Sequence, residues 1–158
     1  MPGVLFILLS YLLHFAQFVE WPDHVLPAGS PIVVGIVGED PFGHAIDETT
    51  AGMRANGHPF VVRRLNWNEV LTNCHIVYIS SSEADHIDAI LAATRGSSVL
   101  TVASADRFVI RGGMIELLPV QDGFDFDVNT GAASKAHLKI SSKLLHIARA
   151  IRSTAEER

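Results

Sequence analysis

Polar and acidic residues follow several apolar runs of the sequence, at the points where predicted strands end. Asp40 and Phe42 come after one run, Ser80 follows a second and Ser104 a third. Open α/β sheets bind ligands at the carboxyl ends of their parallel strands, where such groups could hold a polar solute. Serine and aspartate also cap helices and form turns without any ligand. Two interpretations stay open: a ligand-binding rim made by these four residues, or caps and turns alone.

No familiar catalytic pattern is found in the sequence. Gly35, Gly38 and Gly43 match neither the dinucleotide-binding nor the P-loop spacing. The nucleophile elbow Gly-x-Ser-x-Gly does not occur, and Ser80 stands where a response-regulator receiver needs an aspartate. We therefore predict no enzyme activity, no catalytic residues and no cofactor.

The histidines and the cysteine give no metal pattern. His44 and Asp47 would share a helix face, but no third ligand follows them, and a closed metal site needs three or four. We therefore predict no metal site. Cys74 is the single cysteine, which excludes an intrachain disulfide, and we expect a buried thiol.

Bulky side chains gather where the first predicted helix ends. Phe15, Phe18, Val19 and Trp21 would either pack into the core or form a binding groove that Trp21 closes. Further along, a turn at Asp106 precedes two adjacent glycines, Gly112 and Gly113, which indicate backbone that needs positive φ or lacks room for a side chain.

Strands and helices are predicted to alternate through the first two thirds of the chain. The predicted strands are Ile32–Val37, Phe60–Leu65, His75–Ser80 and Val99–Ala103. The first predicted helix is Leu5–Val19. The second begins at an Asp40 cap and runs to Ala55, where Asn56-Gly57 is expected to end it in a left-handed conformation. A short helix is predicted around Trp67–Leu71, and a fourth, capped by Ser82, is expected to bury Ala84, Ile87, Ile90 and Leu91. Units of this size predict an α/β fold: a three-layer sandwich with a mainly parallel central sheet, an antiparallel β-hairpin extending it, and helices on both faces.

The last third of the sequence predicts that hairpin and a final helix. Asp122-Gly123 is typical of a hairpin turn. In the strand that follows, phenylalanine and valine alternate with Asp125 and Asp127, so we expect both aspartates to face water. The final helix, after Ser141-Ser142, is expected to bury residues spaced i, i+3, i+4 and i+7, which are Leu144, Ile147, Ala148 and Ile151.

Composition limits the class of protein. The 158 residues predict one domain, 1–158, with a core over Tyr11 to Ala150 and a frayed tail over 153–158. Apolar residues make up 48% and charged ones 18%, which excludes a disordered chain, and a net charge of −5 without a basic cluster excludes a general nucleic-acid binder. Val4 to Leu13 is too short to cross a bilayer and lacks the basic flank of a signal peptide, so we expect a buried helix there.

Several phrases together resemble the YfiR-like family in the right order, across about Tyr11 to Ala150. They are Phe15–Pro22, Val37–Gly43, Cys74–Ser80, Leu100–Val102 with Gly112–Ile115, and Phe126–Asn129 with Ile140–Leu145. One phrase alone is weak, whereas the ordered set is specific.

The resemblance implies an exported, periplasmic bacterial protein. The family's namesake is a non-enzymatic repressor of a membrane-bound diguanylate cyclase, so the resemblance implies control of cyclic-di-GMP and biofilm formation, with a membrane histidine kinase as an alternative partner. We expect partner contacts at Phe18, Trp21, Asp106, Gly112 and Gly113. The apolar composition further predicts a homodimer. The rival hypothesis is a periplasmic small-ligand sensor that uses the strand-end rim.

Overall fold

Strand β2 (Ile32–Val37) contributes side chains to two separate hydrophobic cores, because its side chains alternate between the two faces of a sheet. Ile32 and Ile36 pack in one core, and Val33 and Val37 pack in the other. The computed structural model describes residues 3–153. A strand buried on both faces requires other elements to cover the sheet from both sides, and this requirement organises the rest of the chain.

The elements of the described residues are as follows. The helices are α1 (Gly3–Phe18), α2 (Ala45–Thr50), α3 (Ile87–Thr94), α4 (Thr130–Lys135) and α5 (Ser142–Ile147), with a 3-10 helix over Ser81–His86 directly before α3. The strands besides β2 are β1 (Val19–Glu20), β3 (Arg54–Ala55), β4 (His58–Leu65), β5 (Ile76–Ile79), β6 (Leu100–Ala103), β7 (Ile115–Val120), β8 (Gly123–Asn129), β9 (Lys139–Ile140) and β10 (Ala150–Arg152).

Among the described residues, eight strands form one sheet in the order β10-β8-β7-β6-β5-β2-β4-β3, and β1 pairs with β9 in a separate ribbon. Strands β4, β2, β5, β6 and β7 run parallel. The β7–β8 hairpin extends them antiparallel, with Val120 opposite Gly123. The predicted fold class, a mainly parallel α/β sandwich extended by a hairpin, is confirmed.

Helix α1 covers one face of the sheet and α3 packs against the other. The Tyr11 hydroxyl donates to the Phe124 carbonyl at 2.7 Å, and the rings of Phe15 and Phe126 meet edge to face at 5.3 Å. On the opposite face, Ile87 and Ile90 of α3 are fully buried. The expected buried first helix is therefore confirmed. Within residues 3–153, no helix has the length and apolar character needed to cross a bilayer.

The helix predicted from Asp40 to Ala55 is wrong at both ends. Asp40 Oδ1 accepts from the Phe42 N–H at 2.8 Å in a turn, and helix α2 covers only Ala45–Thr50. Asn56 and Gly57, with φ of 53° and 86°, form the two-residue turn of the β3–β4 hairpin rather than a helix end. An Asn-Gly pair with both residues at positive φ suits that turn better than it suits a helix cap.

Two smaller predictions also fail in this region. No helix forms over Trp67–Leu71, where the Trp67 ring stacks on His86 at 4.1 Å instead. The 3-10 helix is capped by Ser80, not Ser82, whose Oγ accepts from the Glu39 N–H across the loop. Ala84 is exposed because it lies on this 3-10 helix, outside the α3 stripe.

The final helix is shorter than predicted, because the chain turns into strand β10. Ile147 and Ile151 are 70% and 52% exposed, whereas Leu144 is buried as expected. Asp127, predicted to face water, is 7% exposed and receives two hydrogen bonds from Arg149 at 2.9 and 2.6 Å. A buried carboxylate needs such a partner, and the extended backbone after α5 supplies it. Of the predicted frayed tail, 153–158, residues 154–158 lie outside the described residues.

Helix α4 was not predicted from the sequence. Asn129, which is fully buried, caps it by accepting from the Ala132 N–H at 2.9 Å, and its amide donates to the Val109 carbonyl at 2.8 Å. An asparagine ahead of Thr-Gly-Ala-Ala was the available signal.

Gly113 gives a direct test of the packing. A Cβ at this position would overlap the ring of the fully buried Phe108, whereas a Cβ at Gly123 would meet nothing closer than 3.9 Å. We expect Gly113→Ala to lower the free energy of unfolding by about 3 kcal/mol through overpacking. Gly123→Ala, the matched control, should change it by less than about 0.5 kcal/mol. Urea unfolding of both variants measures this, and equal effects would contradict the packing described for Phe108.

Candidate functional site: a groove at the amino end of the sheet

A broad depression of about 760 Å³ opens at the amino ends of strands β2 and β4, and we call it the amino-end groove. The end of α1, strand β1, the β9 strand and the start of α5 form its walls. Its floor is apolar and includes Val19, Leu26 and Ile32, all buried. The depression therefore combines preformed walls with an apolar base.

Trp21 lines this groove but belongs to the core. Its side chain is 7% exposed, and its Nε1–H donates to the His75 carbonyl at 3.1 Å. The indole also meets the His75 ring edge to face, with centroids 6.0 Å apart. The core-packing interpretation of Trp21 is thus confirmed. Phe18, which is half-buried and stacks on His14, is the more accessible aromatic group of the groove.

The ribbon of β1 and β9 ties the two ends of the chain together beside the groove. Val19 pairs with Ile140 and Glu20 with Lys139. The Ser141 N–H then donates to the Phe18 carbonyl at 2.8 Å, and the Ser141 hydroxyl caps α5. This wall is therefore held by backbone hydrogen bonds.

Charges of both signs border the groove. Glu20 and Asp23 belong to the segment after α1, and Lys139 and Lys143 belong to the β9–α5 segment. All four are exposed. Exposed rim charges contribute little to affinity but favour correct encounter and orientation of a partner.

A second cavity, of about 430 Å³, lies at the opposite end of the sheet, after β5 and β6, and we call it the carboxyl-end cavity. Ser80, Ser104 and Asp106 line it. Asp40 and Phe42 do not. Asp40 is bound by Arg64 at 2.7 Å, and Phe42 is buried against the Tyr78 ring. The structure therefore brings together two of the four residues of the predicted rim.

Doubly wound folds hold nucleotides in the crevice where the strand order reverses, which in this sheet lies between β2 and β5. In this protein, side chains fill that crevice. A Cβ at Gly38 would lie 2.5 Å from Glu83 Cγ and 2.6 Å from Ser82 Oγ. Glu83 in turn contacts Nδ1 of His86 at 2.9 Å. A carboxylate in this crevice makes it unsuitable for a phosphate group.

The five residues predicted to contact a partner are dispersed. Phe18 and Trp21 share the amino-end groove, and Asp106 lines the carboxyl-end cavity. Gly112 lines a smaller cavity of about 220 Å³ between α3 and α4, and Gly113 is buried against Phe108. The predicted contact residues therefore lie in separate places on the protein, and their part in binding a partner stays a prediction.

Sequence reasoning missed two basic residues of the carboxyl-end cavity, Arg107 and Arg111. Their i, i+4 spacing within one turn was the available signal. Within residues 3–153, no three His, Cys, Asp or Glu side chains converge as metal ligands. Cys74 is buried as expected, and burial raises the pKa of its thiol.

Behind Trp21, the buried His75 bonds two backbone groups through its ring. Its Nδ1 accepts from the Val33 N–H at 3.0 Å, so Nε2 carries the proton and donates to the Val25 carbonyl at 3.0 Å. Burial lowers the pKa of His75, with a smaller contribution from nearby His58. Protonation of Nδ1 would remove the acceptor for a buried backbone donor.

We therefore expect the free energy of unfolding to fall as the pH drops below about 6.5, the usual histidine pKa, because the unfolded chain binds that proton more readily. The contribution of His75 reaches at most about 1.4 kcal/mol per pH unit. Urea unfolding between about pH 5 and 7 measures the slope. His75→Asn should flatten it, while His137→Asn, an exposed site whose φ of 64° suits asparagine, should not. Equal slopes in all three proteins would contradict this account.

Comparison with known proteins places the chain. No curated protein matches the sequence. The structure is similar to the crystal structure of a conserved domain protein from Vibrio cholerae O1 biovar El Tor str. N16961, with a TM-score of 0.63 and 13% sequence identity. The match covers 91% of this chain and 60% of that chain, so this chain spans less than two thirds of the Vibrio protein's length. At this identity the likeness shows the fold alone. The model of the YfiR/HmsC-like family matches residues 7–149, as the ordered phrases of the sequence predict, and the chain therefore belongs to the YfiR/HmsC-like family.

Proposed function

We propose that this protein is a periplasmic regulator without enzyme activity. It binds the periplasmic sensor region of a membrane signalling enzyme, a diguanylate cyclase, and restrains cyclic-di-GMP synthesis and hence biofilm formation. Membership of the YfiR/HmsC-like family over residues 7–149 carries the proposal. A membrane histidine kinase is the alternative partner.

The amino-end groove supports a protein partner better than the other depressions do. It is the largest of the three described above, at about 760 Å³. Its floor joins the main apolar core through Val19 and Leu26, so a side chain docked there would be held against rigid packing. Aromatic groups in well-packed pockets supply most of the energy of protein interfaces.

Phe18 is the residue on which we base the contact. Its ring is half-buried in the free protein, and a partner that covers it removes further apolar surface from water. Trp21 acts behind it, by holding the groove's base through the bond to His75. Asp106, Gly112 and Gly113 lie elsewhere, and the proposal gives them no part in this contact.

The homodimer stays a prediction. Ile147, at the end of α5, and Ile151, on the edge strand β10, are exposed and do not line the groove, so pairing of copies there would leave the groove accessible.

We expect Phe18→Ser to weaken binding to the purified periplasmic region of the cyclase by about tenfold or more, equivalent to about 1.4 kcal/mol, because the aromatic contact is lost. Biolayer interferometry measures the dissociation constant. The matched control is Val70→Ser, since Val70 is 68% exposed and does not line the groove. Circular dichroism melts of both variants check that the fold persists.

The same variants test the function in cells. Deleting the gene should raise cellular cyclic-di-GMP, and the wild-type and Val70→Ser proteins should restore it. Phe18→Ser should fail to do so. If Phe18→Ser restores the level fully, the groove is not the regulatory surface, and if deletion leaves cyclic-di-GMP unchanged, the cyclase is not the target.

A further inference from the structure

The carboxyl-end cavity is lined by two arginines, Arg107 and Arg111, and neither takes part in a buried ion pair among the described residues. It lies after β5 and β6, at the opposite end of the strands from the amino-end groove. Its lining comprises Ile79, Ser80, Ser81, Ala84, Ile87, Ser104, Ala105, Asp106, Arg107 and Arg111. Its volume of about 430 Å³ is within the range of small-molecule sites.

Arg107 and Arg111 are held together by a hydrogen-bonded turn. The Arg111 N–H donates to the Arg107 carbonyl at 2.9 Å, and both residues line the cavity. Phe108, fully buried between them in sequence, anchors this turn by accepting from the Gly113 N–H at 2.9 Å. The guanidinium groups therefore project from a fixed backbone.

Arg107 adopts a left-handed backbone with φ of 61°, which a long side chain rarely takes. Backbone in such a region is retained only where the surrounding structure imposes it, and it concentrates at functional sites. The residue that follows Arg107 is the fully buried Phe108.

The two cations are weakly compensated. Among the described residues, the Arg107 guanidinium has no hydrogen bond or ion pair. Arg111 reaches Asp88 at 3.1 Å, but the Asp88 side chain is 84% exposed, so this pair contributes little. A ligand can displace Asp88 without breaking any buried contact.

Hydroxyl groups add neutral donors. The side chains of Ser81 and Ser104 make no hydrogen bond within residues 3–153, and each can donate one. Arginine forks and hydroxyls are the donors that bind carboxylate and phosphate oxygens. Asp106 on the rim opposes highly charged anions, which favours a group of low charge.

We propose that the carboxyl-end cavity binds a small oxyanion, a carboxylate or phosphate group, through Arg107 and Arg111 with the hydroxyls of Ser81 and Ser104. The site lies apart from the amino-end groove. Its binding properties are therefore tested independently of the proposed partner.

Two-dimensional 15N NMR of the full chain, titrated separately with inorganic phosphate and acetate to about 50 mM at constant ionic strength in chloride, tests the site. We expect saturable shifts at the amides of Ser81, Ser104, Arg107 and Arg111 with one or both probes, with a dissociation constant in the millimolar range. The stronger response distinguishes phosphate from carboxylate chemistry.

Variants separate a built site from general attraction. The double variant Arg107→Asn with Arg111→Gln should weaken binding at least about tenfold, and asparagine tolerates the left-handed backbone. Asp106→Asn should tighten binding by removing a repelling charge. Arg63→Gln, which removes an exposed charge on β4, is the matched control and should change nothing. If the double variant loses its dispersed spectrum, Arg111→Gln alone should still weaken binding.

Two results would overturn the proposal. One is the absence of saturable shifts at these amides with both probes. The other is shifts that persist unchanged when Arg107 and Arg111, or Arg111 alone, lose their charge.

Discussion

The burial of strands β2, β5 and β6 on both faces is the constraint on which this structure depends. Ile36 and Tyr78 point into one core while Val37 and Ile79 point into the other, so neither face of the sheet can meet water. The chain must cross over the sheet after each strand to cover it, and this requirement leaves polar residues at the strand ends. The two larger depressions of the described residues lie at these two ends of the sheet.

Those ends carry different chemistry. The amino end has an apolar floor, the half-buried Phe18 and rim charges of both signs, which suits a protein surface. The carboxyl end has two arginines and free hydroxyls, which suits a small anion. Between β2 and β5 the crevice that many related folds use is filled by Glu83. The crevice in which this class of fold often holds a nucleotide is therefore filled here by the protein's own side chains.

An element could be predicted from the sequence when the contacts that determine it are close in sequence, and not when they join distant residues. Strand β2 was predicted to the residue, because its β-branched run needs no distant partner. Ile147 and Ile151 fit a helix equally well, but the bond from Arg149 to the buried Asp127 extends the chain there, and a 22-residue separation hides that pairing. In the site, the aromatic cluster was found from its composition, whereas Arg107 and Arg111 converge only through a turn that the buried Phe108 fixes.

The central claim is that the amino-end groove is where this protein contacts a membrane signalling enzyme. Photo-crosslinking in the periplasm measures this most directly, with benzoylphenylalanine placed at Phe18 and, as control, at Val70, followed by mass spectrometry of the product. The account predicts a product from Phe18 only, joined to the periplasmic region of a membrane diguanylate cyclase. Equal products from both positions, or none from Phe18, would contradict it.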